Sequence, residues 1–233
     1  MGAIHEDVLY FFRTRGLSLL VYGLPAIVPI SIWQGYVNGQ RASLPALHSG
    51  GMPPQLSAGV MLPSLVAGLI YTGLMMILID TYSRGLQPNL RSLWAQAIHR
   101  GPYLFAVQVL LGIASFLAAI PLIIPGFYVA GRLLDVQVQA PLSEAGVWAM
   151  MRQSWRETQG YGWSLIGGYA LWLLLPLSVG ILLQALISHL LPAHGPLTWA
   201  MLSLSYALSM FLDLPSWVFL YRHRQLRAAQ GVR

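Results

Sequence analysis

Long apolar runs dominate this chain and limit most strongly what it can fold into. Several of them are close to the roughly 20 residues that an α-helix needs to cross hydrocarbon, and short polar segments separate them. None alternates between apolar and polar residues as the strands of a membrane barrel do. Only 9% of the residues are charged, against about 25% in a typical soluble domain. The sequence therefore predicts an all-α membrane protein.

We predict six transmembrane helices within a single membrane domain, residues 17–221. An amphipathic cytoplasmic lead-in, residues 1–16, precedes this domain, and a basic cytoplasmic tail, residues 222–233, follows it. The predicted spans are 17–37, 59–79, 103–124, 127–142, 163–190 and 197–221.

Two polar segments of the chain predict amphipathic helices that lie along the cytoplasmic surface. The first follows span 2, carries one tryptophan on an apolar face and ends at a Gly-Pro pair. The second begins at Ser143, a plausible N-cap, carries two tryptophans on its apolar face and directs two arginines outward. The residues that define these helices are Trp94, Trp148, Arg152, Trp155 and Arg156. The two segments also resemble each other weakly, which fits either an internal duplication or the general likeness of loop helices.

The distribution of arginine predicts how the spans are oriented. All thirteen basic residues are arginine. If the N-terminus is cytoplasmic and six spans alternate, Arg41 alone falls outside, Arg132 falls within the membrane, and the other arginines fall inside. The positive-inside rule favours this orientation. We therefore predict a multi-pass protein of the bacterial cytoplasmic membrane with both termini in the cytoplasm. Because the arginines form no basic block, the sequence predicts no nucleic-acid partner.

The stretch between spans 3 and 4 predicts a helical hairpin with charges inside the membrane. Pro125 and Gly126 break an apolar run and predict the turn. Arg132 and Asp135 follow in span 4, where charged side chains are costly, and their i, i+3 spacing allows them to pair. One interpretation is a buried ion pair that orients the hairpin. The other is a polar cavity that binds a headgroup or an ion.

Further polar positions lie in spans 2 and 6. Small residues recur at every fourth position of span 2, in a stripe that predicts close helix contact. In span 6, Ser205, Ser209 and Asp213 share one face. This aspartate is either a carboxylate that responds to protons or cations, or part of a stripe of interhelical hydrogen bonds. At the inner end of span 2, Asp80 and Arg84 predict a surface ion pair at i, i+4.

One part of the chain carries a recognisable pattern, made of Pro125-Gly126-Phe127-Tyr128, Arg132, Glu144, Arg152, Ser154-Trp155 and Gly160. Over residues 121–165 the sequence resembles the YciC-like family of bacterial inner-membrane proteins. It is also similar to the membrane domain attached to some glycerophosphodiester phosphodiesterases. The resemblance implies a six-span inner-membrane protein with an envelope-related role and no established catalytic residues. Asp135, Gln137 and Gln139 make span 4 more polar than the family pattern.

Motifs that carry chemistry are missing from the sequence. There is no nucleophile elbow, P-loop, dinucleotide fingerprint or His-rich metal motif, so we predict no catalytic residue, no metal and no cofactor, and hence no enzyme. We expect a non-enzymatic protein of envelope homeostasis that contacts membrane lipids, including anionic headgroups, or a partner membrane protein. A small transporter or lipid-handling permease, with a polar cavity around Arg132, Asp135 and Asp213, is the alternative. A structural subunit of a larger membrane assembly, made with another protein or with further copies of this chain, is the third.

Overall fold

The computed structural model of the protein describes residues 2–42, 54–120, 123–191 and 195–231. Within these ranges the chain forms eight helices and no strand. They are α1 (Gly2–Ala42), α2 (Pro54–Ser83), α3 (Leu90–Ala119), α4 (Ile123–Leu142), α5 (Val147–Glu157), α6 (Gly162–Leu190), α7 (Pro196–Leu212) and α8 (Leu214–Gly231).

Five helical stretches among the described residues are long and apolar enough to cross a membrane. They are Ile4–Val37, Pro63–Ser83, Leu90–Ala119, Gly162–Leu190 and Pro196–Arg227, the last of which combines α7 and α8. Much of their apolar surface is exposed; Leu182, for example, is 69% exposed. Such a surface is costly in water but is satisfied by lipid chains. These features agree with the predicted all-helical, multi-pass membrane protein.

Helix α4, which contains predicted span 4, is not among these five stretches, and other helices enclose it. It packs against α2, α3, α5, α6 and α8. Val136, Val138 and Gln139 are at most 1% exposed. Because neighbouring helices surround α4, Arg132, Asp135 and Gln139 meet polar groups of the protein, and this explains how so polar a helix is tolerated.

Arginines gather several helix ends at one end of the bundle, which we call the basic end. Arg222 of α8 pairs with Asp7 of α1 at 3.2 Å. The Arg227 guanidinium carbon lies 3.3 Å from the ring centroid of Tyr161, just before α6. Arg100 of α3 donates to the carbonyl group of Ala140 near the end of α4 at 3.4 Å. The starts of α1, α3 and α6 therefore meet the ends of α4 and α8.

Two predicted boundaries are absent because the helices continue through them. Helix α1 runs without a break from Gly2 to Ala42, so the predicted lead-in and span 1 are one helix. Part of the predicted tail, up to Gly231, belongs to α8. Its residue His223 is only 7% exposed, so this part of the tail packs against the protein.

The predicted end of the first surface helix at Gly101-Pro102 is wrong. Helix α3 continues through Pro102, although proline removes one helical hydrogen bond. Leu93 and Ala97 before the proline, and Leu104 and Val107 after it, are all at most 5% exposed. Burial of this continuous face holds the segment in one helix with span 3.

The predicted hairpin is present as antiparallel α3 and α4, but the predicted position of its turn is wrong. Pro125 and Gly126 lie inside the first turn of α4, where proline is well tolerated. Helix α3 ends at Ala119 and α4 begins at Ile123, and residues 121–122 between them lie outside the described residues. A Cβ added to Gly126 would lie 3.0 Å from Cα of Ala119. Glycine is therefore needed here for close approach of the two helices.

Candidate functional site

Arg132 is the most extensively bonded buried charge of the protein's described part. It is 6% exposed. Its Nε donates to Oγ1 of Thr158 at 3.3 Å, and its two terminal nitrogens donate to the Tyr128 hydroxyl at 3.1 Å and to the carbonyl group of Trp155. Its guanidinium carbon also lies 4.1 Å from the ring centroid of Trp155. Arg132 thus neutralises the carbonyl end of α5, which carries partial negative charge.

Hydroxyl groups of α5 and its C-terminal turn complete the contact with α4. Ser154 donates from Oγ to the carbonyl oxygen of Arg132 at 2.6 Å. The Thr158 hydroxyl donates to the carbonyl oxygen of Ser154 at 2.6 Å and also lies 3.2 Å from the carbonyl oxygen of Arg132. Met150, Ser154 and Thr158, at i, i+4 and i+8, are 0%, 0% and 3% exposed. Hydrogen bonds and apolar packing therefore both determine which face of α5 is buried.

The tryptophan-bearing face predicted for the second surface helix does not pack against the rest of the protein. Trp148 is 66% exposed and Trp155 is 41% exposed, because the hydroxyl-bearing side of α5 docks on α4 instead. The N-cap position is Gly146 rather than Ser143. Arg152 and Arg156 are exposed. In the first segment, Trp94 of α3 is partly buried and packs against the main apolar core.

Asp135 does not form the predicted pair with Arg132. Its Oδ2 accepts a hydrogen bond from the Gln139 amide at 2.7 Å, and its Oδ1 lies 3.8 Å from Nε of Arg224. The two charges of α4 therefore serve different neighbours: Arg132 holds α5, and Asp135 faces α8. Each finds a bonded partner on another helix, which satisfies it better than a bare i, i+3 contact would.

Asp80 forms the predicted pair with Arg84, at 2.8 Å. It also accepts a hydrogen bond from the Tyr221 hydroxyl at 2.7 Å, a contact that the sequence spacing did not indicate. Gln225 in turn donates to that hydroxyl at 2.9 Å. The end of α2 is thereby tied to α8.

Asp213 lies at the break between α7 and α8, where predicted span 6 is divided. It accepts hydrogen bonds from the Ser216 hydroxyl at 2.8 Å and the Trp217 indole N–H at 2.9 Å. A carboxylate at the start of α8 is also favoured by the helix dipole. Ser205 and Ser209 donate to carbonyl groups of their own helix, so these hydroxyl protons do not form the predicted interhelical bonds.

An open groove of about 410 Å³ lies between α6 and α7 beside Asp213. Ser209, Tyr206 and Gln184 contribute polar groups to it. Neither Arg132 nor Asp135 lines this groove: Arg132 bonds to α5, and Asp135 faces Arg224 of α8. The three charged residues expected around one polar cavity, Arg132, Asp135 and Asp213, therefore do not meet in this groove.

A second cleft, of about 280 Å³, lies between α2, α3, α4 and α8. Ser64, Gly68 and Thr72 of α2 line it together with Gln108 and Gln137. Within the described part of this chain the stripe makes no close helix contact at Gly68, since a Cβ added there would meet no atom within 4 Å. Gln108 is exposed and Gln137 is half-buried. Within hydrocarbon an amide without a hydrogen bond costs roughly 2–7 kcal/mol, so both side chains gain from a polar partner in this cleft.

The outer surface of α5 combines cationic and aromatic groups. Trp148, Arg152 and Arg156 recur at i, i+4 and i+8, so they lie on one face. Beside α5, at the start of α6, Trp163 is 54% exposed and lines an open pocket of about 490 Å³ with Tyr128. We call these five residues and the exposed Trp155 ring the aromatic–arginine surface.

Sequence reasoning missed the partners of the buried charges. The i, i+4 spacing of Ser154 and Thr158, which places both on one face, is the signal in the sequence that indicates them. Arg224 lies in the predicted basic tail, and no local pattern connects it to Asp135.

The chain matches no protein-family model, and no curated protein or solved structure is significantly similar to it. The resemblance to the YciC-like family therefore stays a prediction. Within the described ranges, no group of three or more His, Cys, Asp or Glu side chains is placed to hold a metal ion.

Proposed function

We propose that this is a non-enzymatic protein of the bacterial cytoplasmic membrane that binds anionic phospholipid headgroups and serves envelope homeostasis. The observation that carries this proposal is the outward display of Trp148, Arg152 and Arg156 by a helix whose opposite face is locked onto α4. Indole rings favour the headgroup layer of a bilayer, and arginine attracts its anionic lipids. The resemblance to the YciC-like family supports the envelope role.

The proposal includes six membrane crossings with the basic end in the cytoplasm. Helices α3 and α6 both start at the basic end, so the chain must return through α4 between them. Twenty residues of α-helix extend about 30 Å, the thickness of the hydrocarbon core. The arginines at this end support a cytoplasmic location under the positive-inside rule. In this arrangement α5 lies along the inner leaflet.

Native mass spectrometry of protein extracted from mixed phosphatidylglycerol and phosphatidylcholine bilayers tests the proposed headgroup binding. Each arginine near an anionic surface contributes about 1 kcal/mol. The double variant Arg152→Gln/Arg156→Gln should therefore bind phosphatidylglycerol roughly 30-fold more weakly, with binding of phosphatidylcholine unchanged.

The matched control is Arg91→Gln, which removes an exposed arginine at the start of α3. It should leave phosphatidylglycerol binding within about twofold of wild type. If the α5 double variant also retains wild-type affinity, headgroup binding by the aromatic–arginine surface is excluded.

Transport is the second candidate function, and the α7–α8 break favours it. Interrupted membrane helices bind substrates and coupling ions in many transporters. Here the break places Asp213 in an open groove beside Gln184 and Tyr206. Proteoliposomes with an imposed pH gradient test it: the wild type should dissipate the gradient and Asp213→Asn should not. Equal proton leak in wild-type, variant and protein-free vesicles would remove proton-coupled transport from consideration.

A further inference from the structure

We propose that the cleft between α2, α3 and α4 binds the ester-linked acyl chain of a membrane phospholipid. This site shares no lining residue with the aromatic–arginine surface and requires no anionic headgroup. The cleft follows α2 from Ser64 to Thr72, a distance of about 12 Å along the helix axis. It lies inside two of the stretches that are long enough to cross the bilayer, Pro63–Ser83 and Leu90–Ala119.

The surroundings of the cleft identify its occupant as lipid. Leu65 and Val66 on α2 are 41% and 48% exposed, and Phe105 and Val109 on α3 are 39% and 41% exposed. These apolar side chains flank the cleft on the two helices that form its sides. Since nothing in the described residues fills the space beside Gly68, the cleft is open to the chains of the bilayer. Its volume of about 280 Å³ is below the range of pockets that enclose a whole small molecule, and it suits a segment of chain.

The polar groups of the cleft specify the chemistry at one end of that chain. Gln108 and Gln137 line it, and neither amide forms a hydrogen bond within the described part of the chain. Each amide offers two N–H donors. An ester carbonyl accepts such hydrogen bonds, whereas a plain hydrocarbon chain does not. The rest of the wall is apolar, with Leu69 and Val107 among its residues. A carbonyl group joined to a hydrocarbon chain therefore matches both parts of the cleft.

Photocrosslinking tests whether a chain occupies the cleft. The protein is reconstituted in zwitterionic phosphatidylcholine vesicles that contain a phosphatidylcholine with a diazirine on its acyl chain. Wild-type protein should be labelled at residues 64–72 and 104–108 more strongly than on the exposed face of α6 around Leu182. Gly68→Leu, which fills the cleft, should lower this labelling at least fivefold.

Gly112→Leu is the matched control, because a Cβ at Gly112 also meets no atom within 4 Å but this residue does not line the cleft. It should leave the labelling unchanged. Labelling of the cleft that does not exceed labelling of the α6 face, or that survives Gly68→Leu, would overturn the proposal.

A comparison of ester and ether lipids tests the role of the two amides. In wild-type protein, the ester-linked probe should label the cleft several-fold more than an ether-linked probe of equal chain length. Gln108→Leu and Gln137→Leu should abolish this preference while Gly112→Leu keeps it. Equal labelling by the two probes in wild-type protein would show that the amides do not bind the ester, and the assignment of the ligand would be wrong.

Discussion

Arg132 shows how a buried arginine is stabilised in this protein without a carboxylate partner among the described residues. Its guanidinium group meets a hydroxyl of the C-terminal turn of α5, a carbonyl group of α5 and an indole ring. Arg100 is partly exposed and lies 3.7 Å from the Glu144 carboxylate, and it likewise donates to carbonyl groups at the end of α4, those of Ala140 and Ser143. Helix carboxyl ends carry unsatisfied carbonyl groups and partial negative charge. Arginine suits such an end because its positive charge balances the partial negative charge, and its N–H donors, spread over a planar group, reach several carbonyl groups.

Replacement of Arg132 by glutamine should detach α5 from α4. It removes three hydrogen bonds to a charged group, each worth about 1.5–3 kcal/mol, and a relaxed site recovers part of this. We expect the free energy of unfolding in mixed micelles to fall by about 3 kcal/mol, together with faster proteolysis within residues 147–158. Arg152→Gln, on the exposed side of the same helix, should change the free energy by less than about 0.5 kcal/mol. Equal stability of the two variants would contradict the assigned role of Arg132.

The two ion pairs at Asp135 and Asp80 should differ in coupling energy. Asp135 is 7% exposed, whereas the side chain of Arg84, the partner of Asp80, is 65% exposed. Double-mutant cycles on unfolding should give about 1–3 kcal/mol for Asp135 with Arg224, despite its 3.8 Å separation. The surface pair Asp80 with Arg84 should give about 0.3–0.5 kcal/mol. If the surface pair couples as strongly as the buried one, burial is not what strengthens the interaction.

At the scale of the helices, small residues act where backbones meet. Helices α1 and α7 form the most extensive helix pair of the described structure, and Gly35 lies in their contact. A Cβ added there would lie 2.8 Å from the backbone nitrogen of Ser203 and 2.9 Å from the carbonyl oxygen of Trp199. Backbone atoms of α7 cannot move aside as a flexible side chain can, so the two helices would have to separate.

Gly35→Ala should therefore destabilise the bundle, by about 1–3 kcal/mol, the usual cost of overpacking. Gly112→Ala is the control, because the same Cβ in α3 meets open space. It should be neutral or slightly stabilising, since alanine favours a helix more than glycine. Thermal unfolding of the two variants in one detergent measures the difference. Equal melting temperatures would show that α1 and α7 are not in close contact at Gly35.

For the whole molecule, the path of α4 decides how many times the chain crosses the membrane. If only the five apolar stretches crossed, α3 and α6 would start on opposite sides of the membrane. Contacts at the basic end instead bring the start of α3 to the carboxyl end of α4, and the start of α6 to α8. In the proposed six-span arrangement, this polar helix completes the crossing because other helices surround it. The charged side chains of α4 do not prevent this central position, because they meet polar groups of the helices around them.

Cysteine labelling tests the path of α4 directly, since the chain contains no native cysteine. Ile120→Cys lies at the end of α3, and Ala149→Cys lies on the exposed side of α5. A membrane-impermeant maleimide added to intact spheroplasts should label Ile120→Cys and leave Ala149→Cys unlabelled until the membrane is permeabilised. Ser92→Cys, at the start of α3, should behave like Ala149→Cys. Labelling of all three positions from the same side would mean that α4 re-enters instead of crossing.

The sequence by itself determined the all-helical class, the multi-pass character and the Asp80–Arg84 pair. Hydropathy and i, i+4 spacing are local properties, so they appear directly in the chain. Tertiary structure alone decided which helix is enclosed, which side of α5 docks and which partner each charge of α4 finds. Arg132 meets Trp155 and Thr158, and Asp135 meets Arg224, across separations that no local pattern records. These choices follow from packing, because a buried charge binds whichever polar groups the folded helices bring to it.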